Sequence, residues 1–402
     1  MPIQTNFDAE NTGRLCRQAD SIMKQNFNKT KIVATLGPAS GNEEMIRKLI
    51  RAGVDVFRLN FSHGTHEQHK VLFDLIKKVN HELETHVSIL ADLQGPKIRL
   101  GEVLPLTVLQ EDDEFILTTQ PLIGDNKKAY ITYPDFPKDV NPGETILIDD
   151  GRIELKVLET NRKDTVLTKV KYGGPVSSKK GVNLPDTAVT IPSLTEKDHI
   201  DLMFALQQGA NWIALSFVRK AEDIVHLKNI IRHHGFHARV IAKIEKPEAL
   251  KNIDAIIDAT DAVMVARGDL GVEMPVENVP FTQKELCRKC LLNATPVIIA
   301  TQMMESMIEN PHPTRAEVTD VANAVLDGAD AVMLSAETAT GKYPEMVIKT
   351  MVRIIEKAEK EEVVFHRRHE PDKHSKTYLS DAICFNACNI AEELHMRLPS
   401  WE

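Results

Sequence analysis

The sequence predicts an α/β protein built on a closed barrel of eight parallel strands, with a small all-β domain inserted into one of its loops. Three observations support this prediction. Eight short apolar runs alternate with amphipathic helical stretches, as in parallel sheets that are covered on both faces. Polar residues gather where these runs end, which is where such barrels carry their active sites. Residues 95–183, between the third and fourth runs, contain short strands and turn residues instead.

The strands and helices follow one another in the order expected for this fold. The predicted strands are residues 31–37, 54–62, 87–93, 212–218, 240–245, 262–266, 296–301 and 331–335. The clearest predicted helices are residues 42–51, 67–79, 196–208, 222–232, 281–293, 315–326 and 344–357. An open, doubly wound sheet would show the same alternation. The count of eight strands and the polar residues at their ends favour the (β/α)8 TIM barrel.

The predicted domains follow from these patterns. Residues 1–94 and 184–358 form the catalytic barrel, and residues 95–183 form the inserted β domain, whose position suits a lid that closes over the barrel rim. Its predicted strands are residues 107–109, 114–118, 129–132, 145–148, 153–157 and 166–171, separated by turn residues. Residues 359–402 begin with a charged run and a polar stretch. They continue into one amphipathic helix, which includes Ile383 and Leu394.

Composition excludes several classes of protein. The formal net charge of −9 argues against a general nucleic-acid binder, although a local cationic pocket could still bind a small anion. The five cysteines are an odd number in a long chain, which suits a reducing compartment better than a disulfide framework. No apolar run approaches the length of a membrane span, and the first residues lack an apolar signal core. We therefore expect a cytoplasmic protein with no membrane or nucleic-acid partner.

Two strand ends carry the strongest chemical signal. Lys243 and Glu245 lie two apart on one predicted strand and therefore share a face, while Asp269 follows the next strand. Two carboxylates from neighbouring strands suit Mg²⁺, and the lysine beside them could neutralise charge on a transferring phosphoryl group. A structural Lys–Glu pair would have the same spacing. Arg58 ends an earlier strand and could bind phosphate through its planar guanidinium or pair with a carboxylate.

Several longer motifs resemble those of pyruvate kinases. The resemblance covers residues 29–394 and is carried by the motifs Thr30-Lys31-Ile32-Val33-Ala34-Thr35-Leu36-Gly37-Pro38, Arg58-Leu59-Asn60-Phe61-Ser62-His63-Gly64, Ala242-Lys243-Ile244-Glu245, Ala266-Arg267-Gly268-Asp269-Leu270-Gly271, Ala300-Thr301-Gln302-Met303 and Leu334-Ser335-Ala336-Glu337. It implies phosphoryl transfer from phosphoenolpyruvate to ADP, giving pyruvate and ATP in the final step of glycolysis. It also accounts for the insertion, because family members carry a β-rich lid domain at this place.

The resemblance implies a role for each matching residue. Lys243 would stabilise charge on the phosphoryl group and the enolate oxygen, Arg58 would bind the phosphoryl group, and Glu245 and Asp269 would hold Mg²⁺ or Mn²⁺. The backbone of Ala266, Arg267, Gly268 and Asp269 would hold the substrate carboxylate beside Thr301. The nucleotide would contact Asn60, His63, Arg99 and Lys180. The proton route to the enolate carbon would use Thr301, Ser335 and Glu337.

One segment departs from the potassium-requiring members of the family. Asn60, Ser62 and Asp92 match positions that bind a monovalent cation, but Lys97 stands where those members carry a glutamate. A tethered ammonium can supply the charge that a bound ion otherwise provides. This pattern resembles the potassium-independent branch, so we expect activity without K⁺. The alternative is that Lys97 forms a salt bridge at the hinge of the inserted domain.

The end of the chain leaves other interpretations open. Family members continue for an α/β domain that carries subunit contacts of a homotetramer, whereas residues 359–402 resemble only its opening, so we expect a truncated C-terminal domain. The chain could then be an inactive remnant or a partner subunit of a full-length enzyme. A third interpretation is an aldolase- or mutase-like lyase on a barrel that binds phosphoenolpyruvate or pyruvate, although such lyases generally lack a β domain after the third strand.

Overall fold

The computed structural model describes residues 28–360, 370, 371, 373 and 377–393. Cys16, most of the polar stretch at 366–376 and the residues from Leu394 onward lie outside this part of the chain. The strands, labelled β1 to β16 in chain order, are Lys31–Thr35, Val56–Asn60, Ser88–Asp92, Val108–Leu109, Glu114–Thr118, Lys128–Tyr130, Thr145–Ile148, Ile153–Thr160, Thr165–Tyr172, Gly174–Pro175, Val182–Asn183, Trp212–Leu215, Arg239–Ile244, Ala262–Ala266, Val297–Ala300 and Ala331–Leu334.

Helices follow most of the strands. The α-helices are Glu43–Ala52, His66–Leu83, Phe136–Asp139, Glu196–Gln207, Ala221–His233, Pro247–Lys251, Ile253–Ala259, Arg267–Glu273, Val279–Leu292, Arg315–Leu326, Ala336–Ala339, Pro344–Glu359 and Tyr378–Glu393, with 3-10 turns at Val276–Asn278 and Glu305–Ile308. Side chains cap several of the longer ones: Thr65, Thr195 and Thr314 each accept a bond from the third residue of the following helix.

Eight parallel strands close into a barrel in the order β1-β16-β15-β14-β13-β12-β3-β2. The pairing of β1 with β16 closes the ring, with Lys31 opposite Ala331. An open, doubly wound sheet would leave these two strands unpaired, so the barrel prediction is confirmed and the open-sheet alternative is wrong. The carboxylate of Glu359 reinforces the closure, since it accepts bonds from the backbone N–H groups of Lys29 and Thr30 at 3.1 and 2.7 Å.

Side chains alternate between the two faces of each barrel strand and so form two separate apolar layers. Inward-facing side chains such as Val33, Leu90 and Ile241 fill the barrel interior. The intervening residues, for example Ile32 and Ala242, pack outward against the helices. Both layers are apolar because the sheet is covered on both faces, which explains the nearly continuous apolar runs in the sequence.

The inserted segment, residues 95–183, is called the β-insert below. It leaves the barrel after β3 and returns before β12, and these two strands are neighbours in the barrel. A six-stranded sheet in the order β11-β7-β8-β9-β5-β6 and a small pair, β10-β4, make up its strands. A separate apolar cluster, which includes the fully buried Phe115 and Phe136, forms its core. The described segment is built mainly of strands, with one short helix, Phe136–Asp139, that the all-β prediction did not include.

The structure differs from the predictions in detail. Most barrel strands are one to three residues shorter than predicted. Five short helices in the described part of the chain were not predicted: Phe136–Asp139, Pro247–Lys251, Ile253–Ala259, Arg267–Glu273 and Ala336–Ala339. The last amphipathic pattern is a helix, Tyr378–Glu393, and its residues Ile383 and Ile390 are exposed. No helix in the described part of the chain is both long and apolar enough to cross a membrane.

Candidate functional site

The barrel rim brings together polar side chains from several strand ends. Along β13 the inward face carries Ile241 in the apolar interior and then Lys243 at the rim; Glu245, the residue after β13, follows two positions later. A cavity of about 130 Å³ opens here. Its walls are formed by Arg58, Asn60, Ser62, His63, Gln94, Lys97, Arg99, Ser216, Phe217, Lys243, Glu245 and Asp269.

Lys243 lies at the centre of a buried charged network. Its Nζ lies 2.9 Å from Oε1 of Glu245 and 3.2 Å from Oδ1 of Asp92, and it donates to Oγ of Ser216 at 2.8 Å. Burial alone would favour the neutral amine. The carboxylates of Asp92 and Glu245 outweigh that effect and raise the pKa of Lys243 above its usual range. These carboxylates therefore favour the charged form of Lys243 at the barrel mouth.

Asp92 connects Lys243 to Arg58. Nε of Arg58 donates to Oδ2 of Asp92 at 2.7 Å, and Nη1 of the same guanidinium donates to Oγ1 of Thr35 at 3.0 Å. Burial opposes ionisation of Asp92, but Lys243 and then Arg58 hold the pKa of its carboxyl below the ordinary value. The predicted alternative for Arg58, pairing with a carboxylate, is thus seen in the structure. The same pairing aims Arg58 into the cavity.

Glu245 and Asp269 form the candidate metal pair. Oε2 of Glu245 accepts a 2.8 Å bond from the backbone N–H of Phe217. Burial raises the pKa of Glu245, Lys243 opposes that rise, and the neighbouring Asp269 carboxylate adds to it. A divalent cation between the two carboxylates would relieve this repulsion. In the described residues no three His, Cys, Asp or Glu side chains form a metal cluster, and a pair suits Mg²⁺, which takes its remaining ligands from substrate and water.

Lys97 lines the same cavity as Asn60 and Ser62. It is exposed, and within the residues that the structure describes it forms no ion pair, so the predicted hinge salt bridge is absent there. Oδ1 of Asn60 accepts a bond from the N–H of Ser62 at 3.1 Å, and Asp92 is engaged by its two cationic neighbours. The positive side chains of Lys97, Lys243 and Arg58 thus all line this cavity.

The segment after β14 lies beside Thr301. The N–H of Gly268 donates to Oγ1 of Thr301 at 2.8 Å, and the same hydroxyl donates to the carbonyl of Ala300 at 2.6 Å. Thr301 adopts a φ of 67°, which a β-branched residue rarely does. The guanidinium of Arg267 makes two 2.7 Å bonds to Asp320. Only the backbone of Arg267 is therefore placed to meet a substrate.

Glu337 joins two loops of the rim. Its Oε2 accepts a 2.7 Å bond from the N–H of Ser335, and its Oε1 accepts a 3.3 Å bond from the N–H of Met304. Burial raises the pKa of Glu337, although these backbone donors oppose the rise. The bonds tie the end of β16 to the loop that begins at Thr301, so Thr301, Ser335 and Glu337 lie in one region.

The four candidate nucleotide residues fall into two groups. Asn60, His63 and Arg99 line the cavity with Lys243. Lys180 lies in the β-insert, where its Nζ pairs with Asp149 at 2.8 Å, and it is not among the residues of the cavity wall. Arg99 is close to it along the β-insert, because Nη1 of Arg99 donates to the carbonyl of Lys179 at 3.1 Å.

Three contributors to the site were missed from the sequence. Ser216 links Lys243 to the carbonyl of Leu93, to which its hydroxyl donates at 2.8 Å. Thr35 positions Arg58, and Phe217 positions Glu245 through its backbone. A polar residue within or just after an apolar barrel strand, as at Thr35 and Ser216, was the available signal. Phe217 gave none, since its role depends on a φ of 54°.

Comparisons with known proteins point to one family. The family model described as "Pyruvate kinase, barrel domain" matches residues 27–348. The chain is 46% identical to a pyruvate kinase of Methylorubrum extorquens over 92% of its length, and 47% identical to one of Corynebacterium glutamicum over 92%. It is 46% identical to pyruvate kinase 2 of Synechocystis over 91%. The aligned parts make up 77%, 77% and 62% of these relatives, respectively.

These relatives do not favour the lyase interpretation or that of an inactive remnant. Membership of their family implies a divalent-metal requirement, which the Glu245–Asp269 pair can meet with hard oxygen ligands. The barrel, the residues gathered at its rim and the extent of the match lead to one conclusion: the chain belongs to the pyruvate kinase family.

Proposed function

We propose that this chain transfers the phosphoryl group of phosphoenolpyruvate to ADP and releases pyruvate and ATP. One observation carries the proposal: the buried side chain of Lys243 lies between the carboxylates of Asp92 and Glu245 at the barrel mouth. Phosphoryl transfer needs little covalent help from the protein. It depends on positioning and on fixed positive charge near the transferring oxygens, which this network supplies.

The substrate would lie across the rim. Arg58 and Lys243 would contact the phosphoryl group, since both line the cavity and both are held in place by Asp92. The backbone of 266–269, beside the hydroxyl of Thr301, would hold the carboxylate. Mg²⁺, or Mn²⁺ in its place, held by Glu245 and Asp269, would supply charge neutralisation on the oxygens of the substrate and nucleotide.

The transfer step breaks the bond between phosphorus and the enol oxygen and forms a bond to a terminal oxygen of the β-phosphate of ADP. The electron pair of the broken bond stays on the enol oxygen. Lys243 would stabilise that developing enolate, because the raised pKa of its ammonium favours the charged form. The β-insert would close over the rim as a lid and exclude water, which would otherwise compete with ADP for the phosphoryl group.

The second step adds a proton to the enolate carbon and gives pyruvate. Thr301, Ser335 and Glu337 would form the route for that proton. Glu337 supports this role because its buried carboxyl has a raised pKa and binds the N–H of Ser335. A threonine hydroxyl is too weak an acid to act alone, so a bound water would complete the route between Thr301 and solvent.

The remaining side chains of the site would contact the nucleotide and supply the positive charge that K⁺ provides in other members of the family. Asn60, His63 and Arg99 would contact the nucleotide from the barrel side, and Lys180 would approach when the β-insert closes. Lys97 would supply the positive charge near Asn60 and Ser62, so that K⁺ is not required. Its exposed position on the cavity wall and its lack of an ion pair in the described part of the chain support this role.

The setting of the enzyme is also part of the proposal. Cys287 and Cys290 are buried free thiols, and burial raises the pKa of each to about 12, which suits a reducing cytoplasm. The acidic net charge of −9 supports small-molecule substrates and no nucleic-acid partner. Assembly into a homotetramer is what the resemblance implies, and gel filtration with light scattering would test it.

The experiment that tests the function is an assay of pyruvate release from phosphoenolpyruvate and Mg-ADP, run without potassium and again with it. Release in both buffers is the expected result. Release only with potassium would retain the kinase and overturn the role of Lys97. No release from a protein that is folded by circular dichroism would favour the inactive remnant or a partner subunit of a full-length enzyme.

A further inference from the structure

A second charged pair lies beside the candidate metal carboxylates. Nζ of Lys246 lies 2.5 Å from Oε1 of Glu273, and the side chains are only 14% and 1% exposed. Lys246 directly follows Glu245 after β13. Glu273 lies one helical turn after Asp269 on the helix Arg267–Glu273, so the two acids share a helix face. The pair therefore connects the two segments that carry Glu245 and Asp269.

The same carboxylate also contacts the β-insert. Nδ2 of Asn183 donates to Oε1 of Glu273 at 2.8 Å. Asn183 is the last residue of β11, where the β-insert returns toward the barrel, and it is paired with Leu147 in the sheet of the β-insert. Oε1 of Glu273 thus accepts hydrogen bonds from Lys246, which follows Glu245, and from Asn183 in the β-insert.

The second oxygen of Glu273 points to a bound molecule. Oε2 is buried and has no hydrogen-bond partner, which is a costly arrangement for a carboxylate. A cavity of about 30 Å³, lined in part by Lys246, Asp269 and Glu273, lies at this place. That volume fits one water, which could bond to Oε2 and to the neighbouring charged groups. With this water the cluster would be complete.

We propose that Lys246, Glu273 and Asn183 are positioning residues that set the spacing of Glu245 and Asp269 and link it to the position of the β-insert. The inference rests on the proposed function only in assigning the metal to Glu245 and Asp269. Lys246 and Glu273 hold the two metal-bearing segments at a fixed separation. Movement of the β-insert pulls on Glu273 through Asn183, so metal occupancy and closure favour each other.

The first test measures Mn²⁺ binding to the substrate-free protein by electron paramagnetic resonance. Lys246→Met should weaken the affinity at least about tenfold, and Lys246→Arg, which keeps the charge and donors, should restore it to within about threefold. Lys169→Met removes an exposed pair with Asp112 and should change the affinity less than about twofold. Wild-type affinity in a folded Lys246→Met variant would overturn the proposal. Glu273→Gln replaces that variant if it does not fold, with the same expectation.

The second test measures amide hydrogen exchange around 182–191 with and without Mn²⁺. In the wild-type protein Mn²⁺ should slow exchange there several-fold, and in Asn183→Leu that effect should disappear. A Mn²⁺ effect that persists in Asn183→Leu, or none in the wild type, would overturn the link to the β-insert. Neither measurement needs turnover. A protein without kinase activity could therefore still support this inference, and an active kinase could still overturn it.

Discussion

The backbone N–H of Phe217 donates a 2.8 Å hydrogen bond to Oε2 of Glu245, and Phe217 makes that bond at a φ of 54°. The left-handed conformation is unfavourable for a residue with a Cβ and is commonly found where a site requires it. Gly95, where the β-insert leaves the barrel, packs closely against the Phe217 ring. Phe217 therefore lies between Glu245, a candidate metal ligand, and the start of the β-insert.

Glycine should be better tolerated than alanine at Phe217. Both substitutions remove the ring and keep the N–H, but only glycine is relaxed at this φ. We expect the free energy of unfolding, measured in urea, to be about 1 kcal/mol higher for Phe217→Gly than for Phe217→Ala. Phe115, buried within β5, is the control, because there glycine should be the less stable of the two. The same order at both positions would contradict the strain argument.

Removal of the charge of Lys243 should nearly abolish turnover. Lys243→Met keeps the stem of the side chain but leaves Asp92 and Glu245 without their shared cation. We expect kcat to fall by at least about 10²- to 10³-fold, the loss typical of one preorganised charge at a reacting centre. Steady-state assay of pyruvate release measures it, with Lys169→Met as the matched control. A loss below about tenfold would contradict the role given to Lys243.

Asp92 should stabilise the fold only while it is ionised. Asp92→Asn leaves Arg58 and Lys243 buried without their carboxylate, which should cost about 3–5 kcal/mol at pH 7. Because the folded pKa of Asp92 is lowered, the advantage of the wild type is fully present above the unfolded value of 3.8 and is lost as pH falls through the folded pKa. Urea unfolding of both proteins between pH 7 and pH 3 checks this. An unchanged difference at pH 3 would show that charge is not the cause; Asp112→Asn, at an exposed pair, serves as the control.

The hydroxyl of Thr301 should matter more than its methyl group. Thr301→Val removes the acceptor for the N–H of Gly268, whereas Thr301→Ser keeps it. We expect kcat/KM to fall about 10- to 100-fold in the valine variant, the cost of one unsatisfied, partly buried donor, and only a few-fold in the serine variant. Equal losses in the two variants, measured with saturating Mg-ADP and varied phosphoenolpyruvate, would argue for a packing role instead.

Lys97 should determine the response to potassium. The wild-type protein should have the same kcat, within about twofold, with and without added K⁺. Lys97→Met removes the tethered charge beside Asn60 and Ser62, so its activity should fall and should recover in part on titration with K⁺. Lys179→Met, at an exposed pair with Glu102, controls for loss of a lysine in the β-insert. A K⁺-independent loss in the Lys97 variant would contradict charge replacement.

The sequence predicted the barrel because its physical cause is local. Strands covered on both faces must be apolar throughout, so runs such as the one around Val263 in β14 are visible without a structure. The rim residues were predictable for a related reason. Lys243 and Glu245 are charged positions at the end of an apolar strand, where burial would be costly without partners. The assignment of their roles, however, came from the resemblance to a family.

Other features have causes that are distant in the chain. Arg267 meets Asp320 across 53 residues, and no local pattern indicates that its guanidinium is engaged there. The helices Pro247–Lys251 and Ile253–Ala259 are too short to show a helical period. The strained φ of Phe217 has no sequence signal, because such positions are expected at glycine or asparagine. The boundaries of the domains remain a prediction.

Closure of the barrel by β1 and β16 has a consequence for how the chain is made. Thr35 donates to the carbonyl of Leu334, a partner that lies 299 residues later in the sequence. At about 5–20 residues per second, a ribosome needs about 15–60 s to supply that partner. During this interval β1 has an unpaired edge, which is prone to join another chain. The β-insert pairs mostly within itself and can fold well before then. The inserted segment can therefore be folded before the barrel that carries it has closed.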